Sequence, residues 1–301
     1  MDYHILGPLE VIDGDEPIDV GSRQQRGLLA LLLLNANQVV STERILEEFW
    51  HDDPEGKERT LWVYVSRLRS ILEPGREPHS RSNVLVTCDH GYSLVVDDAE
   101  VDAHRFEVLV TAGNQLLDED PDQAARVLGE GLDLWRGAAL EDFRYDDFAQ
   151  ADVARLEELR LVAIEDRIDA DVRGMRHRNV LGGLEKLVVD HPHRERLVGL
   201  QMISLYRSGR QADALRAYER YRRTVGDELG ILPTPELRHV QEQVLLHDEQ
   251  LAPVSKAITL DVPPVAANPF KGLRYFTEED AATFFGRERV TDDLVGRIES
   301  G

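Results

Sequence analysis

An α+β region followed by an all-α region is the fold class this sequence predicts, and three observations carry it. From Pro54 to Pro74 the chain reads PEGKERTLWVYVSRLRSILEP, a single amphipathic helix. From Ser82 to Asp97 it reads SNVLVTCDHGYSLVVD, two apolar runs around a short turn at Asp89-His90-Gly91, which is the pattern of a β-hairpin. Beyond Asp102, and as far as about Glu249, apolar residues recur at three-and-four spacing, so this region predicts helices only. A helix followed within a dozen residues by a hairpin is the plan of a winged helix, a helix-turn-helix variant with a β wing.

Taken in order, the first twenty residues alternate apolar and polar around Gly7-Pro8 and Asp13-Gly14, which predicts two or three short strands joined by tight turns. Ser22 then stands where it can cap a helix whose Leu28, Leu31, Leu32 and Leu34 supply core. Arg23 and Arg26 at its start are open to two readings, contact with phosphate or solvation over a strand edge. Val39 to Thr42 leads into a second helix with Ile45, Leu46, Phe49 and Trp50 facing inward and Ser41 or Thr42 as its cap. That helix start is a place to seat a phosphate. His51-Asp52-Asp53 reads as a polar loop, because three adjacent residues cannot converge on one metal ion.

The third helix has two faces. With Leu61 at zero on a wheel of 100° per residue, Val65, Leu68 and Leu72 fall within about 40° of it, which makes a core stripe. Opposite lie Arg59, Val63, Ser66, Arg67 and Ser70, with Thr60 beside them and no acid between Arg59 and Ser70. Such a face suits a DNA major groove, where Arg chelates guanine and small side chains touch thymine methyls. Trp62 stands about 100° from the core centre on that wheel, so it either packs on the neighbouring region or stands exposed, and packing is the expected of the two.

The net charge of −22 is unevenly spread. Residues 1–96 hold 9 basic and 16 acidic side chains, and residues 97–249 hold 20 and 33. Within residues 56–81 the balance reverses to 6 basic against 3 acidic, a modest stripe for phosphate binding. Few phosphate contacts per copy favour tandem or dimeric binding. The single cysteine, Cys88, excludes an internal disulfide and any multi-thiolate zinc site. No charged-then-apolar segment follows Met1, and the apolar run Leu28 to Leu34 is too short to cross a bilayer, so a cytoplasmic protein without membrane contact is expected.

The stretches RGLLALLLLNANQVVSTERILEEFW, RTLWVYVSRLRSILEP and HGYSL resemble the DNA-binding domain of the Streptomyces antibiotic regulatory protein family, whose winged helix is similar to that of OmpR-type response regulators. The resemblance implies a transcription activator that sets its third helix in the major groove of a promoter direct repeat and its wing in the adjacent minor groove. Carried over to this sequence, it puts Arg59, Thr60, Val63, Tyr64, Arg67 and Arg69 at reading or phosphate-touching positions. The wheel agrees for Arg59, Thr60, Val63 and Arg67, and sets Tyr64 and Arg69 on the shoulders, where phosphate is the target. Lys57 at the helix start and His90 in the wing turn complete the expected DNA-contact set. Asp89 and His90 occupy the turn where a basic residue would be expected, which weakens the case for wing contact.

Seven helices are predicted over 104–117, 122–135, 148–173, 180–189, 194–207, 211–228 and 236–247. LVGLQMISLYRSGRQADALRAYERY resembles a tetratricopeptide pair, with Tyr206 and Gly209 closing one helix and Ala214 and Tyr218 packing from the next. DLWRGAALEDF, FAQADVARLEELRLVAIEDRIDA and AYERYRRTVGDELGILPTPELRHV resemble the bacterial transcriptional activation domain of the same family. That resemblance implies dimerisation and contact with RNA polymerase holoenzyme. His191-Pro192-His193 reads as a turn in preference to a metal pair.

The proline-bearing segment 250–268 reads as a linker. NPFKGLRYFTEEDAATFFGRERV resembles the entry to STAND-type signalling NTPases, yet no GxxxxGK[ST] loop follows it in this sequence, so a regulator lacking its ATPase half is expected. The expected organisation is a winged-helix DNA-binding domain over residues 1–97, a helical TPR-like activation domain over 98–249, the linker, and the start of an NTPase module over 269–301. Neither a cofactor nor an enzymatic activity is expected, since no nucleophile elbow, metal-ligand spacing or phosphate loop is present. The alternative is a TPR-like protein-interaction scaffold with a winged helix that does not bind DNA, favoured by the acidic balance of the first region.

Overall fold

The computed structural model describes residues 1–50, 56–77, 80–248 and 251, with Asp292, Val295, Gly296 and Ile298. The chain divides into two compact units, Met1–Pro253 and Val254–Gly301. The second is described only at those last four positions, which are helical. His51-Asp52-Asp53, the linker residues 252–268 and the NTPase-like segment up to residue 291 lie outside the described residues.

The alternating start of the chain forms an antiparallel meander of β1 (Asp2–His4), β2 (Glu10–Asp13) and β3 (Glu16–Pro17), in register Tyr3↔Val11 and Ile12↔Pro17. The connection from β2 to β3 turns at Gly14, whose φ of 63° lies in the left-handed region that favours glycine. Helix α1 (Arg23–Leu34) begins at Ser22 with a capping box, in which the Ser22 side chain accepts from the Gln25 N–H and Gln25 answers to the Ser22 backbone. Helix α2 (Thr42–Trp50) is capped by Ser41, whose hydroxyl accepts from Arg44 N at 3.1 Å. Helix α3 (Glu58–Leu72) buries Leu61, Val65, Leu68 and Leu72, the stripe its sequence predicts.

The hairpin of β5 (Leu85–Cys88) and β6 (Gly91–Leu94) follows α3 and turns at Asp89-His90. It is joined by a strand where the sequence predicts only the approach to the second helix. This is β4 (Val40–Ser41), paired antiparallel to β6 as Val40↔Tyr92 and Ser41↔Gly91, giving the order β4-β6-β5. Only glycine allows this approach, because a Cβ at position 91 would sit 2.0 Å from the Val40 carbonyl oxygen. Gly91→Ala is therefore expected to cost about 1–3 kcal/mol by forcing β4 off β6, the cost of overpacking a tight contact. A urea titration of the variant checks it.

Beyond Asp97 the structure is helical: α4 (Asp102–Leu116), α5 (Pro121–Leu132), α6 (Asp147–Arg173), α7 (His177–Asp190), α8 (Glu195–Arg207), α9 (Gln211–Leu229) and α10 (Pro235–Leu246). Each expected helix is present to within a few residues. The tetratricopeptide-like pair is α8 and α9, turning at Gly209 (φ 78°) and packed through buried Ala214 and Tyr218. The helices α7 to α10 enclose their own small cores, one of them around Met202, Tyr218 and Val244.

One hydrophobic core runs from Tyr3 through Leu28, Leu61 and Phe106 to Ala163, so the winged helix and α4 to α6 are built around the same interior. Asp102, at the first turn of α4 and 2% exposed, accepts from Ile5 N at 2.8 Å and Leu6 N at 3.1 Å. Arg136 N donates to Leu6 O and Leu140 N to Ile5 O, both at 2.8 Å, laying the segment before α6 along the residues that follow β1. Phe49 of α2 meets Phe148 of α6 with ring centroids 5.4 Å apart.

Candidate nucleic-acid interface

The recognition surface is assembled from the core outward. Burial of Leu61, Val65, Leu68 and Leu72 fixes the rotation of α3, and this turns Arg59, Val63, Ser66, Arg67 and Ser70 to solvent. Val63 is 44% exposed, leaving a small apolar contact between the two arginines. Among the described residues, neither the Arg59 nor the Arg67 side chain takes part in an ion pair or hydrogen bond. Thr60 and Lys57 are half-buried at the helix start, where Lys57 holds the N-cap position without a side-chain cap.

The two shoulder residues have other partners. Tyr64 stacks on Trp50 (centroids 6.0 Å, planes 20° apart) and donates its hydroxyl to Gln24 Oε1 at 2.5 Å, tying α3 to α2 and α1. Arg69 donates through Nε to Leu85 O at 2.8 Å and through Nη2 to Thr87 Oγ1 at 2.7 Å, which fastens strand β5 to the helix. Burial lowers the Arg69 pKa, with the neighbouring Arg76 acting in the same direction. Both side chains, expected at phosphate, also have internal partners, because each shoulder of α3 abuts another element. Helical spacing cannot register this, since the wing residues lie 16 and 18 positions away.

The wing is held at its base as well. Glu73, just past the end of α3, accepts from the Ser82 hydroxyl and, at 2.9 Å, from Asn83 N. Burial works against its charge, but these hydrogen bonds and that of Val84 N–H hold the carboxyl below its ordinary range. Its stabilising contribution is thus in place above the ordinary value of 4.5 and is lost as pH falls through the lower folded value. At the tip, Asp89 and His90 are exposed, and the His90 carbonyl accepts from Thr42 N at 2.9 Å.

Trp62 departs from expectation. It does not pack on the neighbouring region but is 63% exposed, on the shoulder of α3 that faces the wing. Its indole N–H lies against the Tyr92 hydroxyl of β6. The helical region meets the winged helix at β1 and α1 and through Phe148 on Phe49 of α2, and it leaves Trp62 exposed.

Arg23 and Arg26 have internal partners that neither of the readings open to them includes. Arg23 pairs with Asp146 at 2.9 Å and lies over the Phe143 ring at 5.2 Å, while Arg26 pairs with Asp142 and donates to Leu9 O at 3.1 Å. Both are ties to the segment before α6. Among the described residues no group of three His, Cys, Asp or Glu side chains could hold a metal ion. In the His191-Pro192-His193 turn, His193 Nε2 instead contacts Glu228 at 2.7 Å. No described helix is long and apolar enough to cross a membrane.

Comparison with known proteins agrees with this layout. Residues 15–94 match the family described as "Transcriptional regulatory protein, C terminal", and residues 101–245 match "Bacterial transcriptional activator domain". Residues 269–301 match "Novel STAND NTPase 1". The chain is 34% identical over 253 residues to "Regulatory protein DnrI" of Streptomyces peucetius, covering 82% of this chain and 93% of that protein. It is 36% identical over 252 residues to "Regulatory protein AfsR" of Streptomyces griseus, covering 83% of this chain and 25% of that much longer protein. Among solved structures, Mycobacterium tuberculosis EmbR in complex with a low affinity phosphopeptide superposes with a TM-score of 0.76 at 35% identity, over 84% of this chain and 66% of that one. With the winged helix, the activator domain behind it and DnrI matched over 93% of its length, this chain belongs to the Streptomyces antibiotic regulatory protein family of transcriptional regulators.

Proposed function

We propose that this chain is a sequence-specific DNA-binding transcription activator. Helix α3 enters the major groove of a promoter direct repeat, with Arg59 and Arg67 on base edges and Thr60 and Val63 against neighbouring bases. Lys57, at the helix start, lies within reach of phosphate, and His90 is carried by the wing toward the adjacent minor groove. The residues 98–249 then recruit RNA polymerase holoenzyme, and the DNA is occupied by a homodimer or by tandem copies. The residues 1–97 act as the reading domain and residues 98–249 as the activating one.

A single observation carries this reading: two exposed arginines, without internal partners among the described residues, share one acid-free face of a helix whose rotation the core fixes. Arginine in that setting has base edges and phosphates as its natural partners.

A second reading, an interaction scaffold with a non-binding winged helix, draws on the exposed acid Asp89 at the wing tip and the acidic excess of residues 1–96. Salt dependence separates the two. Duplexes selected by the whole chain from a random-sequence pool are expected to bind with an affinity that falls steeply as salt rises, through counterion release. A chain that enriches no duplex from such a pool is a scaffold and not a reader.

A further inference from the structure

The exposed tryptophan on α3 has no part in the reading above. Large aromatic side chains are rarely left this open unless a partner covers them, and the other two tryptophans are more enclosed, Trp135 at 8% exposure and Trp50 half-buried. Trp62 neighbours Arg59 and Ser66 on the helix surface. One turn before it on the same helix face stands an exposed acid, Glu58, while Glu73 past the helix end is engaged by Ser82 and Asn83. The indole sits at the junction of α3 and the wing, where Arg69 closes the helix onto β5 and Tyr92 backs the ring from β6. If α3 occupies one groove and the wing the next, the strand between those grooves passes over this junction.

We propose that Trp62 is a DNA-contact residue whose indole ring packs on the deoxyribose–phosphate strand running between the groove entered by α3 and the groove reached by the wing. The ring supplies apolar area against the sugar, a contact that positions the protein and reads no base. This inference rests on the DNA-reading function proposed above and names one more of its contacts.

The test uses the whole chain and a duplex that the wild type has selected from a random-sequence pool. Trp62→Ala is expected to weaken binding about 10-fold or more at every salt concentration while leaving the salt slope unchanged, since no charge is removed. Trp62→Phe keeps most of the affinity. Iodide-quenchable emission of the wild type comes chiefly from Trp62, and saturating duplex is expected to protect it. That measurement needs no substitution and decides the matter even where Trp62→Ala fails to fold. Should Trp62→Ala bind as the wild type does, or the emission stay quenchable at saturation, while Arg67→Ala still loses affinity, the role of Trp62 falls and DNA reading stands. A wild-type chain that selects no duplex overturns both.

Discussion

Asp102→Ala is expected to destabilise the unit Met1–Pro253 by about 2–6 kcal/mol, because it leaves two buried backbone donors without acceptors at about 1–3 kcal/mol each. The carboxylate is 2% exposed and takes one N–H on each oxygen, from Ile5 and Leu6. Those donors belong to a segment inside the core, so water cannot replace the lost oxygens without opening the contact between the first sheet and α4. Asp102→Asn keeps the shape and one acceptor and falls between the variant and the wild type. The measurement is a urea titration followed by circular dichroism. A midpoint drop with an unchanged m-value reports lost stability, whereas a second transition would mean that the two regions had come apart.

The second large effect concerns DNA. Arg59→Ala combined with Arg67→Ala is expected to lower affinity for a selected duplex about 100-fold or more, since a bidentate Arg–guanine contact discriminates by about 1–3 kcal/mol. Neither arginine has an internal partner among the described residues, so the folded state loses little and the thermal midpoint stays near that of the wild type. Arg69→Ala makes the contrast. It removes the bonds to Leu85 O and Thr87 Oγ1, so it is expected to loosen the wing and lower stability before it touches binding. Fluorescence anisotropy on the same duplex, paired with thermal melts of each variant, separates the two behaviours. A double variant that binds like the wild type would remove the basis for assigning α3 to the major groove.

The helices were legible because each buries one face. The stripe from Leu61 to Leu72 and the caps Ser22 and Ser41 are local patterns, and the structure places them as their spacing predicts. Long-range partners were not legible. Strand β4 is two residues long, too short to show alternation, and exists because β6 lies beside it with a glycine at the closest approach. The ends of Arg23 and Arg26 on Asp146 and Asp142 span more than a hundred residues of sequence, and no local rule anticipates them. The same holds within the interface. Exposure of Arg59 and Arg67 follows from the wheel, but the tie of Arg69 to the wing depends on how the hairpin lands. For Trp62 the general preference of tryptophan for burial pointed the wrong way, because the helical region docks on β1, α1 and α2 and leaves the ring exposed.

The interior shared by the first sheet, α1, α3 and α4 to α6 joins the part that would grip a duplex directly to the first helices of the part that would meet the transcription machinery. Copies seated on successive direct repeats would all point the same way along the helix axis. They would meet head to tail, through two unlike surfaces and not one self-complementary patch. The repeat spacing would then act as a ruler: about half a helical turn of extra DNA, on the order of 5 base pairs, would throw one copy to the far side of the duplex from its neighbour.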